Sequence, residues 1–96
     1  TSMAWDPDTN QTIIGYRDSS RLRISYASID SSNVVTLGTA HAVTDNTVAP
    51  ETISILYDTL NNAVICVWHQ GAGNTIWARA GTISGDTMTW GTAVQL

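Results

Sequence analysis

Phenylalanine and lysine are missing from this chain altogether, cysteine occurs once and proline twice. Without lysine, all the positive charge rests on Arg17, Arg21, Arg23 and Arg79, against 8 acids, and the formal net charge is −4. So few cations cannot build the positive surface that a phosphate backbone demands, which excludes nucleic acid as a partner. The lone Cys66 can form no intramolecular disulfide. Inside the apolar run "AVICVW" it reads as a small buried hydrophobe ahead of a nucleophile or a ligand. No apolar run approaches the ~20 residues of a membrane span, so membrane insertion is not expected, and no signal peptide is visible. A chain opening on Thr1 rather than methionine reads as a processed product or a piece of something longer.

What remains is a 96-residue chain, 43% hydrophobic and 12% charged, whose polarity comes mostly from Ser, Thr, Asn and Gly. Its length sets one small domain near the lower limit of independent stability, which leaves room for help from partners. The composition is that of β-rich extracellular modules, so an extracellular or surface-associated protein is expected. Because its aromatics are four tryptophans and three tyrosines, each ring carries a polar handle.

The chain contains one unit twice. At an offset of 52, Ser2 to Asp18 faces Ser54 to Gln70, matching Ser2/Ser54, Asp6/Asp58, Asn10/Asn62 and Ile13/Ile65, with Trp5/Tyr57 and Tyr16/Trp68 as aromatic pairs. One inserted residue then makes the offset 53, and Ala27 to Ala40 faces Ala80 to Ala93, both ending in "GTA". Each copy reads as four short strands: "SMAW" or "SILY", "TIIGYR" or "AVICVWH", "RLRISYASI" or "NTIWARAGTI", and "VVTLGTA" or "TMTWGTA". Turn clusters such as "DPDTNQ", "DTLNN" and "QGAGN" separate them, and no window shows a helical period. The organisation is repeat 1 over 1–43, a connector over 44–51 and repeat 2 over 52–96. A four-stranded antiparallel unit recurring at about 50 residues predicts an all-β fold of propeller blades, two per chain; a duplicated sandwich or barrel is the alternative.

The stretches "AWDPDTNQTIIGYRD" and "GTISGDTMTWGTAVQL" resemble the "YDPDTN…AYRD…GTVSG…FGT" blade repeats of multi-blade propeller-like proteins, and the likeness spans nearly the whole chain. In architecture alone, a two-blade chain is also similar to small oligomeric propeller lectins. Two blades cannot close a ring that needs about four to eight, so the resemblance implies self-association, with a homotrimer of six blades as the leading closure and a longer single chain as its rival. The faces carrying Ile13, Ile14, Val64, Ile65, Val67, Ile76 and Trp77 are expected to pack on other blades.

The spacing Asp6-x-Asp8-x-Asn10 opens many calcium loops, but the loop's glycine and bidentate glutamate positions hold Gln11 and Arg17, and repeat 2 has Leu60 in place of Asp8. A hairpin turn, with no metal and no cofactor, is therefore expected. "SGDTMTW" only partly follows the Asp-box, itself a structural turn motif. His41 and His69 have no acid partner suggested by the sequence, and no pair of opposed carboxylates stands out, so no enzyme and no catalytic residues are expected. The sequon at Asn10 is a possible glycan acceptor on a secreted eukaryotic chain.

A binding site is easier to build. Sugars stack their C–H faces on aromatic rings and take hydrogen bonds from polar groups, and blades form pockets between them. Trp77 and Arg79 share one face of a strand, Trp90 follows on the next, Trp68 and His69 close the second strand, and Tyr16 with Arg17 are their counterparts in repeat 1. These seven are the expected ligand contacts, although Trp68, Trp77 and Trp90 would serve equally as packing between blades. A saccharide or glycan is the expected ligand of a lectin-like module with repeated shallow sites. A structural or adhesive repeat of a fibre or surface assembly, without a small ligand, is the other reading.

Overall fold

The computed structural model describes residues 1–71 and 73–96, and among them nine strands and no helix form. β1 (Ser2–Asp6), β2 (Gln11–Asp18), β3 (Arg21–Ile29) and β4 (Val35–Ala42) make one antiparallel sheet in chain order. β5 (Pro50–Asp58), β6 (Ala63–Gln70), β7 (Thr75–Ser84) and β8 (Thr87–Trp90) repeat that meander, and a short β9 (Val94–Gln95) pairs with the other end of β7. The period of burial fits strands: β2 buries Ile13 and Gly15 and β6 buries Val64, Cys66 and Trp68, every second residue in each, which suits a period of two and not a helix.

The first hairpins of the two sheets are the same device. Asp6 Oδ1 accepts the N–H of Asp8 (2.9 Å) and of Thr9 (3.2 Å), and Asp58 Oδ1 accepts those of Leu60 (2.9 Å) and Asn61 (3.3 Å). Asn10 and Asn62 then close each turn with left-handed φ of 57° and 51°, a conformation asparagine tolerates. The opening motif is thus a capped turn, in which Asp6 Oδ1 takes backbone N–H groups and Asp8 Oδ2 takes the Tyr57 hydroxyl from the other sheet.

Strand pairing corrects the repeat alignment in one place. Gly15 pairs with Ile24 and its counterpart Val67 pairs with Ala78, so the offset of 52 becomes 54 on the third strand. Ala27 therefore matches Gly81, not Ala80, because the turn after β6 is two residues longer than Ser19–Ser20. A bulge between Ser25 and Ala27 belongs to the first sheet, and the offset settles at 53 on the last strand, where Leu37 matches Trp90. The equivalence runs to the end of the chain: Val43 donates its N–H to the Leu22 carbonyl (2.8 Å) as Leu96 does to that of Ile76 (2.8 Å).

The fourth strand of repeat 2, expected to run through "TMTWGTA", breaks after Trp90 and resumes as β9. Arg79 explains the break: its Nε donates to the Gly91 carbonyl at 2.6 Å, which turns that oxygen to a side chain.

The two sheets pack face to face through β5, which lies on β1 and β2. Ile13, Leu22, Ile24, Tyr26 and Val43 on one side meet Ile55, Val64, Cys66 and Trp68 on the other in a single buried cluster. Gly15 is required here, since a Cβ at this position would collide with the Ile55 side chain. Ser2 Oγ accepts the Ile55 N–H (3.0 Å) and Tyr57 donates its hydroxyl to Asp8 (2.9 Å), so polar clasps flank the apolar contact. Of the residues expected to pack between blades, Ile13 and Val64 are buried and Trp77 half-buried against this cluster, whereas Ile14, Ile65, Val67 and Ile76 lie on the outer faces.

Candidate binding site

Pairing places Ile53, Ile55 and Tyr57 of β5 beside Trp68, Cys66 and Val64 of β6, and these beside Trp77, Arg79 and Gly81 of β7. All of these side chains therefore stand on the face turned toward the other sheet, and Trp90 joins them through its pairing with Gly81. The segment after β4 crosses the mouth of the space between the sheets. There Val43, Thr44, Asp45 and Val48 meet Trp68, Gln70, Trp77, Arg79 and Ala93 around a cavity of about 240 Å³.

The polar groups of this cavity are pre-positioned. Arg79 Nη1 donates to the Val43 carbonyl (2.7 Å), its Nε is held by Gly91, and the guanidinium carbon sits 5.6 Å from the centre of the Trp90 ring. Stacking and two backbone acceptors fix the planar fork, and its five donors are not exhausted by them. Trp77 gives its indole N–H to Thr75 Oγ1 (2.9 Å). Trp68 is only 3% exposed and its buried indole N–H has no hydrogen-bond partner among the described residues. Such a donor is costly when left dry, and an ordered water would satisfy it. Asp45 holds its carboxylate toward Thr47, accepting that residue's hydroxyl (2.6 Å) and N–H (2.9 Å), and these bonds lower its pKa below the usual carboxylate value.

The seven expected contacts do not all meet. Trp68, Trp77 and Arg79 converge on the cavity, with Trp90 stacked on Arg79. His69 points to the opposite face, where Nδ1 lies 3.2 Å from Glu51 and Nε2 2.7 Å from Asn74 Oδ1. Tyr16 stands on the outer face of the first sheet and bonds Ser25 Oγ (3.2 Å). Arg17 is exposed and folds back to the Ser19 carbonyl (2.7 Å), because pairing opposite Leu22 puts it on the other side of β2 from Tyr16. Arg23, not Arg17, is the arginine paired with Tyr16, and it lies 2.8 Å from Asp18.

Sequence reasoning missed Gln70, Thr44 and Asp45. Gln70 was legible as the residue two places after Trp68 on one strand, but nothing in "TDNTVAPE" announces that a connector will cover a cavity. It also found no acid for either histidine, whereas folding brings Glu51 to His69 and Asp86 to within 3.7 Å of His41.

A second polar cluster seals the inter-sheet space near the first hairpin. Asp6 is fully buried, and while Oδ1 caps its turn, Oδ2 has no well-formed hydrogen bond among the described residues. Burial raises the pKa of Tyr26, and the neighbouring Asp6 charge adds to this. Tyr57 is raised too, first by desolvation and then by the hydrogen bond it gives Asp8. No group of three or more His, Cys, Asp or Glu able to hold a metal ion exists among the described residues. Comparison with family models, with curated proteins and with solved structures finds no match in any of the three.

Proposed function

We propose that the chain is a carbohydrate-binding, lectin-like module of a β-propeller, extracellular or surface-associated, whose two sheets are blades and whose ring is completed by self-association, three copies giving six blades. The observation that carries this reading is the convergence of Trp68, Trp77, Gln70, Asp45 and the doubly anchored Arg79 guanidinium around one cavity. Apolar ring faces beside fixed donors and a carboxylate acceptor are what a sugar requires, since each pyranose offers a C–H face and a fringe of hydroxyls. The cavity is smaller than the ~300–1,000 Å³ of drug-sized pockets, which suits one sugar ring per site and makes multivalency the source of affinity.

Titration of the intact protein with a panel of monosaccharides, read by tryptophan fluorescence, tests the reading. One or more sugars should bind at about millimolar concentration. Gln70→Leu keeps the side chain's size but deletes its polar group at the cavity and should weaken that binding about 5- to 30-fold, in line with the loss of one hydrogen bond. If no saccharide binds at tens of millimolar while the protein is folded, the reading fails. Apolar outer faces on both sheets favour the second reading, a structural or adhesive repeat in which aromatic residues only join subunits, and that outcome would select it.

A further inference from the structure

Both outer faces of the chain are apolar and uncovered. Met3 and Trp5 stand exposed on the first sheet, with Leu37 beyond them, and Leu56, Leu60 and Ile76 on the second. The repeat says how such faces relate. Because the offset between β1 and β5 is even, the face of the first sheet that packs on the second corresponds, residue for residue, to the second sheet's uncovered face. Likewise the covered face of the second sheet corresponds to the uncovered face of the first. The contact made once inside the chain can therefore be made again between chains.

We propose that a second copy of this chain docks head to tail, its β1 taking on the uncovered face of the second sheet the place that β5 takes on the first. The proposal rests on the propeller reading above, and two coordinated substitutions and one retained serine carry it. Inside the chain Tyr57 donates its hydroxyl to Asp8 at 2.9 Å. Shifted by 52, the pair becomes Trp5 and Leu60, both apolar and 54% and 88% exposed, so a polar pair is replaced on both sides at once. Inside the chain Ile55 fills the space left by Gly15. At the junction the counterparts are Met3 and Val67: bulk gained on one side is matched by a flexible, unbranched side chain on the other. Ser2 Oγ accepts the Ile55 N–H, and its counterpart Ser54, an identical residue, lines an open depression with Val67 and Ile76 where the Met3 N–H of the incoming copy would arrive. An independent covering protein would have no reason to match the chain's own other face in this way.

The arrangement is heterologous, so each copy offers one surface and receives on another. The test is native mass measurement of the full 96-residue chain across a concentration series, with variants at the paired positions. Wild type should run as multiples of 10.3 kDa. Leu60→Asp alone should shift dissociation to at least 10-fold higher concentration, since it buries a carboxylate against Trp5. Leu60→Asp combined with Trp5→Tyr recreates the pair made inside the chain and should recover most of the association. Both positions are exposed, and unchanged far-ultraviolet circular dichroism separates lost docking from lost fold. A wild-type chain that stays monomeric at hundreds of micromolar, its faces then awaiting another occupant such as a further repeat, overturns the proposal. So does a double variant that associates no better than Leu60→Asp. The saccharide cavity lies within one chain, so sugar titration of the Leu60→Asp variant, at concentrations where it runs as a monomer, reports on it separately from docking.

Discussion

Asp6 and Asp58 cap the same turn in the two sheets, yet Asp6 is fully buried beside Tyr26 and Tyr57 whereas Asp58 stands partly exposed. Removing Asp6 strips the N–H groups of Asp8 and Thr9 of a fully buried acceptor and leaves a void beneath the turn, so Asp6→Ala should lower unfolding stability by about 1–3 kcal/mol in urea titration. Asp58→Ala should cost clearly less, as water can replace the lost acceptor, and the reverse order would show that the turns are not equivalent. Titration adds a second expectation. Burial pushes the Cys66 thiol up to about 12, opposed by Arg79, and Tyr26 and Tyr57 are raised as well. A group raised in the folded state stabilises it fully below its unfolded value and loses that contribution as pH climbs toward the folded one. Melting temperature should therefore fall as pH rises above the unfolded thiol value of 9.0. Asp45 and Asp58 are lowered by Thr47 and Asn61, so their contributions hold above the unfolded 3.8 and fade as pH drops below it. In the native protein near neutrality Cys66 should resist thiol reagents, and its reaction should follow the rate of unfolding.

At the level of strands, the contact between Gly15 and Ile55 sets how closely β5 lies on β2. Gly15→Val should cost about 1–3 kcal/mol by overpacking, and Ile55→Ala in the same chain should return part of the loss. Arg79 ties β7 to the Gly91 carbonyl and to the segment at Val43, so Arg79→Met should speed amide exchange in β9 and around Val43 before that of β6. These strands were legible because apolar alternation and turn residues agree along the chain, and Trp77 and Arg79 could be assigned to one face from their spacing alone. The third-strand register was not, since two extra residues in a turn leave no mark on local pattern. Nor was the choice of Arg23 over Arg17, which depends on which residue pairs with Tyr16. The break at Gly91 comes from a side chain on another strand, and single-sequence patterns carry no information about that.

On the head-to-tail docking proposed above, the chain holds one interface made and the two halves of another unmade. Its melting temperature should accordingly rise with protein concentration, a shift that calorimetry at two concentrations differing about 100-fold would detect and that a closed monomer would not show. The duplication made the two sheets readable in advance. Which faces are covered was not readable, because apolar residues occupy both sides of β2 and β6 and only the packed pair distinguishes them.

Apart from the split last strand, every strand bonds only to its immediate predecessor and successor. Such pairing closes only short loops, so each meander can zip from its own hairpins without waiting for distant segments to meet. Refolding should then show a fast phase independent of dilution, followed by a slower one whose rate rises with protein concentration as copies collide. Newly made chains would mature by encounter, and their lifetime as sticky single copies would be set by how crowded the compartment is with their own kind.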